Sequence, residues 1–351
     1  MPTTGPSRTA VEIASQPACW REAADTLPRH RAALPVRGER VAVVGCGTSW
    51  FVAQAYAQLR ESGGHGETDA FAASEFPLGR DYDRILAITR SGTTTEVLDL
   101  LAKVRGTAVT GALTADPATP VMTAADAVAV LDFADEESVV QTRFATTALA
   151  LLRAHLEAED ALPAGVRTVA QAAEDAERAV AEPLADAVTD AEQFTFLGTG
   201  WTYGLALEAG LKMREAAGAW TEAYPAMEYR HGPISITGPG RVAWVFGPVP
   251  AGLADDVARV GGTLVADSDS DSDSGADSGA DSGAGPGSGS GPDSGADGSD
   301  PSTSAALDPL ADLVRAQRLA VLLAEAQGQD PDRPRNLTRS VVLSVPAGED
   351  A

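Results

Sequence analysis

The sequence predicts an α/β protein: two parallel β-sheets in tandem, each flanked by helices in a flavodoxin-like three-layer sandwich. Two observations predict it. Short β-branched apolar runs alternate with helical stretches, the pattern of a parallel sheet covered on both faces. And one strand–glycine turn–helix opening occurs twice. GCGTSWFVAQAYAQLRE and GTGWTYGLALEAGLKMRE share a glycine-x-glycine turn and a helix of the same length. One inserted residue makes the helices correspond so that Gln54 pairs with Glu208, Gln58 with Lys212 and Glu61 with Glu215. This is the mark of an internal duplication in which the second copy carries more charge.

Taken in order, residues 1–38 read as a helical lead-in broken at Pro28 and Pro35. The first domain is expected over 39–155. It has strands at Arg40–Gly45, Arg84–Thr89, Ala108–Leu113 and Ala127–Leu131, and helices at Trp50–Glu61 and Glu96–Val104. A long helical stretch, about 138–192, leads out of it, and its portion 156–192 is the expected connector. The second domain, 193–351, opens with the strand Phe194–Gly198 and a helix over Tyr203–Ala217. Its interior holds a low-complexity stretch, 267–303, of Asp, Ser, Gly, Ala and Pro with nine aspartates. Such a composition buries too little apolar surface to offset its ordering entropy, so a disordered acidic insertion that removes part of the domain is expected. A helix at Leu310–Gln327 and a tail from Pro331 to Val345 complete the reading.

Composition excludes several functions. The net charge of -24 repels phosphate backbones, so nucleic acid is not an expected partner. No apolar run approaches a membrane span, and Met1–Gln16 has no secretory h-region, so a cytoplasmic protein is the default. Cys19 and Cys46 form no Cys-x-x-Cys pair and the four histidines are scattered, so no metal and no cofactor is expected. Lys103 and Lys212 are the only lysines in an arginine-rich background, which makes each worth explaining.

A glycine turn between strand and helix offers backbone N–H groups and the helix dipole to an anion. A dinucleotide fingerprint needs glycine at the sixth position, where this chain has Trp50 and Tyr203. A P-loop needs Gly-Lys-Ser/Thr, which does not follow. The remaining feature is a wealth of hydroxyls: Thr48 and Ser49 in one loop, and Thr89, Ser91, Thr93, Thr94 and Thr95, with Arg90, in the next. Singly, such hydroxyls are most often helix caps. Paired at the C-terminal ends of adjacent parallel strands, they suit one phosphate dianion, with Arg90 adding charge.

Glu208, Lys212 and Glu215 stand at i, i+4 and i+7, within about 60° on one helix face. A solvated, salt-bridged face is the ordinary reading of that spacing. His231, in Tyr-Arg-His-Gly-Pro, reads by itself as a turn residue.

The motifs GCGTS, ITRSGTTTEV, QTRFATTAL, ASEF, LEAGLKMREAAG, EAYPAMEYRHGP and PDRPRNLTRSV, in that order, resemble the sugar isomerase (SIS) family. The likeness is to the isomerase half of glucosamine-6-phosphate synthase and to related sugar-phosphate isomerases and deaminases. It covers about 40–350 apart from the insertion. The resemblance implies phosphate contacts from Ser49, Thr89, Arg90, Ser91 and Thr94. It implies that Glu215 moves a proton between C1 and C2 of an open-chain sugar. Lys212 would stabilise charge on the sugar oxygens, with Glu208 holding Lys212 or a hydroxyl. It also implies that His231 opens the sugar ring from the neighbouring subunit, so the expected partners are a phosphorylated sugar and a second copy of the chain, in a homodimer with shared sites.

Three departures qualify the likeness. No nucleophilic cysteine follows Met1, so glutamine-dependent synthesis is not expected. Arg339 stands where the synthase has its imine-forming lysine, and a guanidinium is a poor nucleophile near neutral pH. The acidic insertion interrupts the second half. Two expectations follow: an isomerase or isomerising deaminase of a hexose or hexosamine 6-phosphate acting through an enediol, or a non-catalytic sugar-phosphate sensor.

Overall fold

The computed structural model describes residues 5–266 and 306–343. The acidic stretch 267–303 and the end of the expected tail lie outside the described residues. The chain starts with helices α1 (Arg8–Ala14) and α2 (Gln16–His30). Strand β1 (Val41–Gly45), helix α3 (Thr48–Ser62), β2 (Thr68–Ala72), β3 (Arg84–Ile88), α4 (Thr95–Val104), β4 (Val109–Thr114), the short α5 (Val121–Ala124) and β5 (Ala127–Val130) build the first sheet and its cover. Its strand order is β2-β1-β3-β4-β5, parallel throughout. Order reverses between β1 and β3, so their loops, 45–49 and 89–95, leave a crevice side by side.

The expected long helical stretch is three helices: α6 (Arg143–Ala158), α7 (Val169–Ala181) and the single turn α8 (Asp186–Thr189). Thr168 and Gln171 form a capping box that restarts the helix at α7 after the break. The second sheet uses β6 (Gln193–Gly198), α9 (Thr202–Ala217), β7 (Thr221–Pro225), β8 (Arg241–Phe246), α10 (Leu253–Arg259) and β9 (Thr263–Ala266), and α11 (Pro309–Ala326) follows. Its order, β7-β6-β8-β9, repeats the first sheet's with one strand fewer among the described residues.

Buried side chains from both sheets and from α2, α3, α6, α7, α9 and α11 form one continuous apolar core. The N-terminal helices belong to it, contrary to their reading as a lead-in. Trp20 is fully buried and its indole Nε1 donates to Thr146 Oγ1 on α6 at 3.0 Å.

The two glycine turns share one backbone. Gly47 and Gly200 have φ of 55° and 57°. The strand-end glycines are sterically required, since a Cβ on Gly45 would lie 2.7 Å from the Ser49 carbonyl carbon and one on Gly198 2.4 Å from that of Thr202. Helices α3 and α9 then pack on each other at Gly204, where a Cβ would lie 2.6 Å from the Phe51 carbonyl oxygen. That close approach brings each helix's opening turn beside the other helix's polar stripe.

Candidate active site

The charged stripe of α9 faces inward. Lys212 and Glu208 are each 1% exposed, which rules out the solvated salt-bridge reading for those two. The Lys212 ammonium donates to Thr48 Oγ1 at 3.0 Å, pairs closely with Glu215, and lies 3.5 Å from Glu208 Oε1. Thr48 belongs to the opening turn of α3, so a buried cation ties the two glycine-turn units together. Glu215 is half-buried at the edge of the cluster. Thr48 and Lys212 are the polar neighbours of the Glu208 carboxyl group, at the outer limit of hydrogen-bond reach.

Burial decides the protonation. It raises Glu208 to about 8, further than the attraction of Lys212 lowers it. Burial also works against the Lys212 ammonium, but Glu208 and Glu215 outweigh it and hold its pKa above the ordinary value. Within the cluster, burial therefore favours the neutral form of Glu208, while the neighbouring carboxyl groups favour the charged form of Lys212. Such a group can stabilise a developing oxyanion and offers one carboxylate at its open edge.

The hydroxyl loops lie at the crevice of the first sheet. Ser49 and Thr89 are 3% exposed, and the Thr89 hydroxyl has no partner. The Thr93 hydroxyl lies 3.1 Å from both Ser91 Oγ and Ser340 Oγ, donating to one and able to accept from the other. Gly92, with φ of 61°, turns the loop into the first turn of α4, where Thr94 is the N-cap residue without a side-chain capping bond.

In sequence the chain is 28% identical over 342 residues to the glutamine–fructose-6-phosphate aminotransferase of Bacteroides thetaiotaomicron. The match takes in 88% of this chain and 52% of that protein. It is 29% identical over 314 residues to the same enzyme of Methanothermobacter thermautotrophicus, over 87% of this chain and 52% of that one. The similarity to these aminotransferases extends over most of this chain. The chain spans about half their length. No family model matches the chain. Among solved structures, glucosamine-6-phosphate deaminase of Thermotoga maritima aligns with a TM-score of 0.73 at 21% identity, covering 96% of this chain and all of that one. Tagatose-6-phosphate ketose/aldose isomerase of Escherichia coli aligns at 0.68 and 16%, covering 97% and 98%. The fold shared with these neighbours is the α/β fold of parallel sheets flanked by helices.

In this chain Thr48, Glu208, Lys212 and Glu215 come together, and Ser49, Thr89, Ser91 and Thr94 lie on the neighbouring turns. Arg90 departs from its expected place. Its guanidinium is buried, donates to the carbonyls of Ser138, Val139 and Arg339, and faces Glu136 at 3.5 Å. Arg90 thus braces the loop from behind, with both terminal nitrogens engaged by protein. Arg339 joins the same brace, pairing with Asp135 and donating to the Glu136 carbonyl. His231 is exposed and, among the described residues, makes no hydrogen bond or ion pair with the α9 cluster.

Two participants escaped the sequence reading. Ser340 reaches the hydroxyl loop from the C-terminal segment, whose Val341 carbonyl also accepts from the Thr95 amide at 3.2 Å. Glu136 caps α6 by accepting from the backbone of Thr142 and Arg143, at 2.6 and 2.7 Å, while it faces Arg90. A glutamate shortly before a hydroxyl residue and an apolar helix was its one signal in the sequence.

Proposed function

We propose that this protein binds a hexose or hexosamine 6-phosphate and interconverts its aldose and ketose forms through an enediol, or couples that step to deamination. One observation carries the reading: a buried lysine that joins two carboxyl groups of one half to a hydroxyl of the other, beside two hydroxyl-rich turns. The turns, with Ser49, Thr89, Ser91 and Thr94, suit the phosphate, and the amides at the starts of α3 and α4 add to them. The Glu215 carboxylate would take a proton from one of C1 and C2 and return it to the other. Lys212 would stabilise charge on the enediolate oxygen, and a protonated Glu208 could donate to a sugar hydroxyl. No step requires a cofactor from outside this set.

We further propose that the chain is two tandem SIS domains, 39–155 and 193–351, joined by 156–192. Its working unit would be a homodimer in which His231 of one protomer serves the ring oxygen at its partner's site. The exposure of His231, which makes no hydrogen bond or ion pair with the α9 cluster of its own chain among the described residues, supports a role across subunits. The solved structures it resembles include a sugar-phosphate deaminase and a ketose/aldose isomerase, which is consistent with either outcome of the enediol chemistry.

A second reading has an observation of its own. Arg339 is held by Asp135 and Glu136 and cannot form the imine expected of a lysine there. Binding without turnover, as a sugar-phosphate sensor, fits that loss. Incubating the protein with a panel of sugar 6-phosphates, with assay of isomers and released ammonia, separates the two. Thermal melting alongside tests the phosphate: fructose 6-phosphate is expected to raise the melting temperature and fructose to leave it unchanged. Equal shifts would contradict the phosphate assignment.

A further inference from the structure

The residues that correspond to the α9 cluster on α3 are not idle. Gln54, Gln58 and Glu61 stand where α9 has Glu208, Lys212 and Glu215, and they line a cleft of about 470 Å³. Asp69 of β2 and Gly200 and Tyr203 of the second glycine turn complete it. The geometry mirrors the candidate active site: there the α9 stripe meets the first turn at Thr48, and here the α3 stripe meets the second turn at Gly200 and Tyr203.

The chemistry is different. The cleft has two carboxamides, two carboxylates, a phenol and no basic side chain in its lining. One oxygen of each carboxylate is already held by the protein. Glu61 Oε1 accepts from the Thr68 amide at 2.8 Å, and Asp69 Oδ2 accepts from Tyr82 at 2.6 Å, with Arg80 at 3.7 Å. The other oxygens are left for a ligand. Gln54 Nε2 is buried without a hydrogen-bond partner, an open donor on the wall. Glu61 makes no ion pair among the described residues, and Asp69 has only the long contact with Arg80. A lining with carboxylates and no basic side chain repels a phosphate and attracts an ammonium, while carboxamides and a phenol match hydroxyls.

We infer that this cleft is a second small-molecule site that takes an unphosphorylated amino sugar, its ammonium on Glu61 and Asp69 and its hydroxyls on Gln54, Gln58 and Tyr203. The inference does not depend on the reaction proposed for the other site. The test is ligand-detected NMR titration of the full chain with glucosamine and with glucose. Glucosamine is expected to bind saturably and glucose roughly tenfold more weakly, the loss of a charge-assisted contact. Glu61→Gln with Asp69→Asn keeps the structural acceptors and is expected to weaken glucosamine about tenfold. Tyr203→Phe is a second, milder variant expected to weaken it several-fold, and unchanged melting curves confirm that both fold. Saturating fructose 6-phosphate should not displace the amine. Non-saturable binding, displacement by the sugar phosphate, or affinity unaffected by either variant would overturn the assignment.

Discussion

The two sheets present the same strand order and the same glycine turn, yet their crevices differ. At the first, a second hydroxyl-rich loop faces the glycine turn, Arg90 braces that loop from behind, and Ser340 and Val341 lie across it. At the second, the loop after β8 is Gly247-Pro248-Val249-Pro250, and the crevice opens into a largely apolar cavity of about 780 Å³. Beneath it Arg153 forms a bidentate pair with Asp308, at 2.8 and 2.9 Å, and stacks on Trp201. The helices divide the opposite way. The second half has the buried lysine and glutamate, and the first has glutamines at the matching positions. The comparison teaches that one repeated backbone can carry very different side chains at its turns and along the helices that follow them. In our proposal the first half holds the phosphate and the second half supplies the reacting groups.

The largest expected effect separates those duties. Glu215→Gln keeps the size of the side chain and removes the base, so kcat on the active sugar phosphate should fall by ~10²–10⁴, with affinity little changed. Ser91→Ala, on the other half, should weaken affinity by roughly tenfold and leave kcat nearly intact, the loss of one hydrogen bond to a charged group. Steady-state kinetics on both variants would break the division if each change lowered kcat alike.

A smaller and more gradual effect is the dependence of stability on pH, where the halves again differ. In the first half His65 and His155 pack edge to face, and burial lowers both to about 4. The unfolded chain, with ordinary values near 6.5, binds protons there first. Their contribution to stability is therefore complete above about 6.5 and lost as pH falls toward 4. In the second half the raised Glu208 acts in the other direction: its contribution is complete below about 4.5 and lost as pH rises through about 8. Glu208→Gln should remove the alkaline decline in melting temperature and keep the acid one. An unchanged alkaline decline would show that Glu208 is not its source.

Much of this was legible in the sequence, for reasons tied to particular residues. The runs VAVVG and RILAI announce buried strands, and the repeated glycine turn places the crevice. Strands β2 (TDAFA) and β7 (TEAYP) are half-buried edge strands without a β-branched apolar run, so their pattern was too weak to read. The stripe of α9 was visible, but its direction was not. Spacing fits solvent and cleft equally well, and the deciding contact joins residues 164 apart in the chain, Thr48 and Lys212. Arg90 misled for a similar reason. A cation in a hydroxyl-rich loop suits a phosphate, and sequence cannot show that Glu136 and three carbonyls claim it instead.

The central claim is that a proton moves between carbons of a bound sugar phosphate at Glu215. Solvent exchange in deuterated water, followed by NMR, tests it most directly, because it registers proton transfer even when net turnover is slow. With fructose 6-phosphate or glucosamine 6-phosphate, the protein should introduce deuterium at C1 or C2, and Glu215→Gln should not. Binding of a hexose 6-phosphate without any deuterium entering either carbon would contradict the claim and leave the sensor as the function.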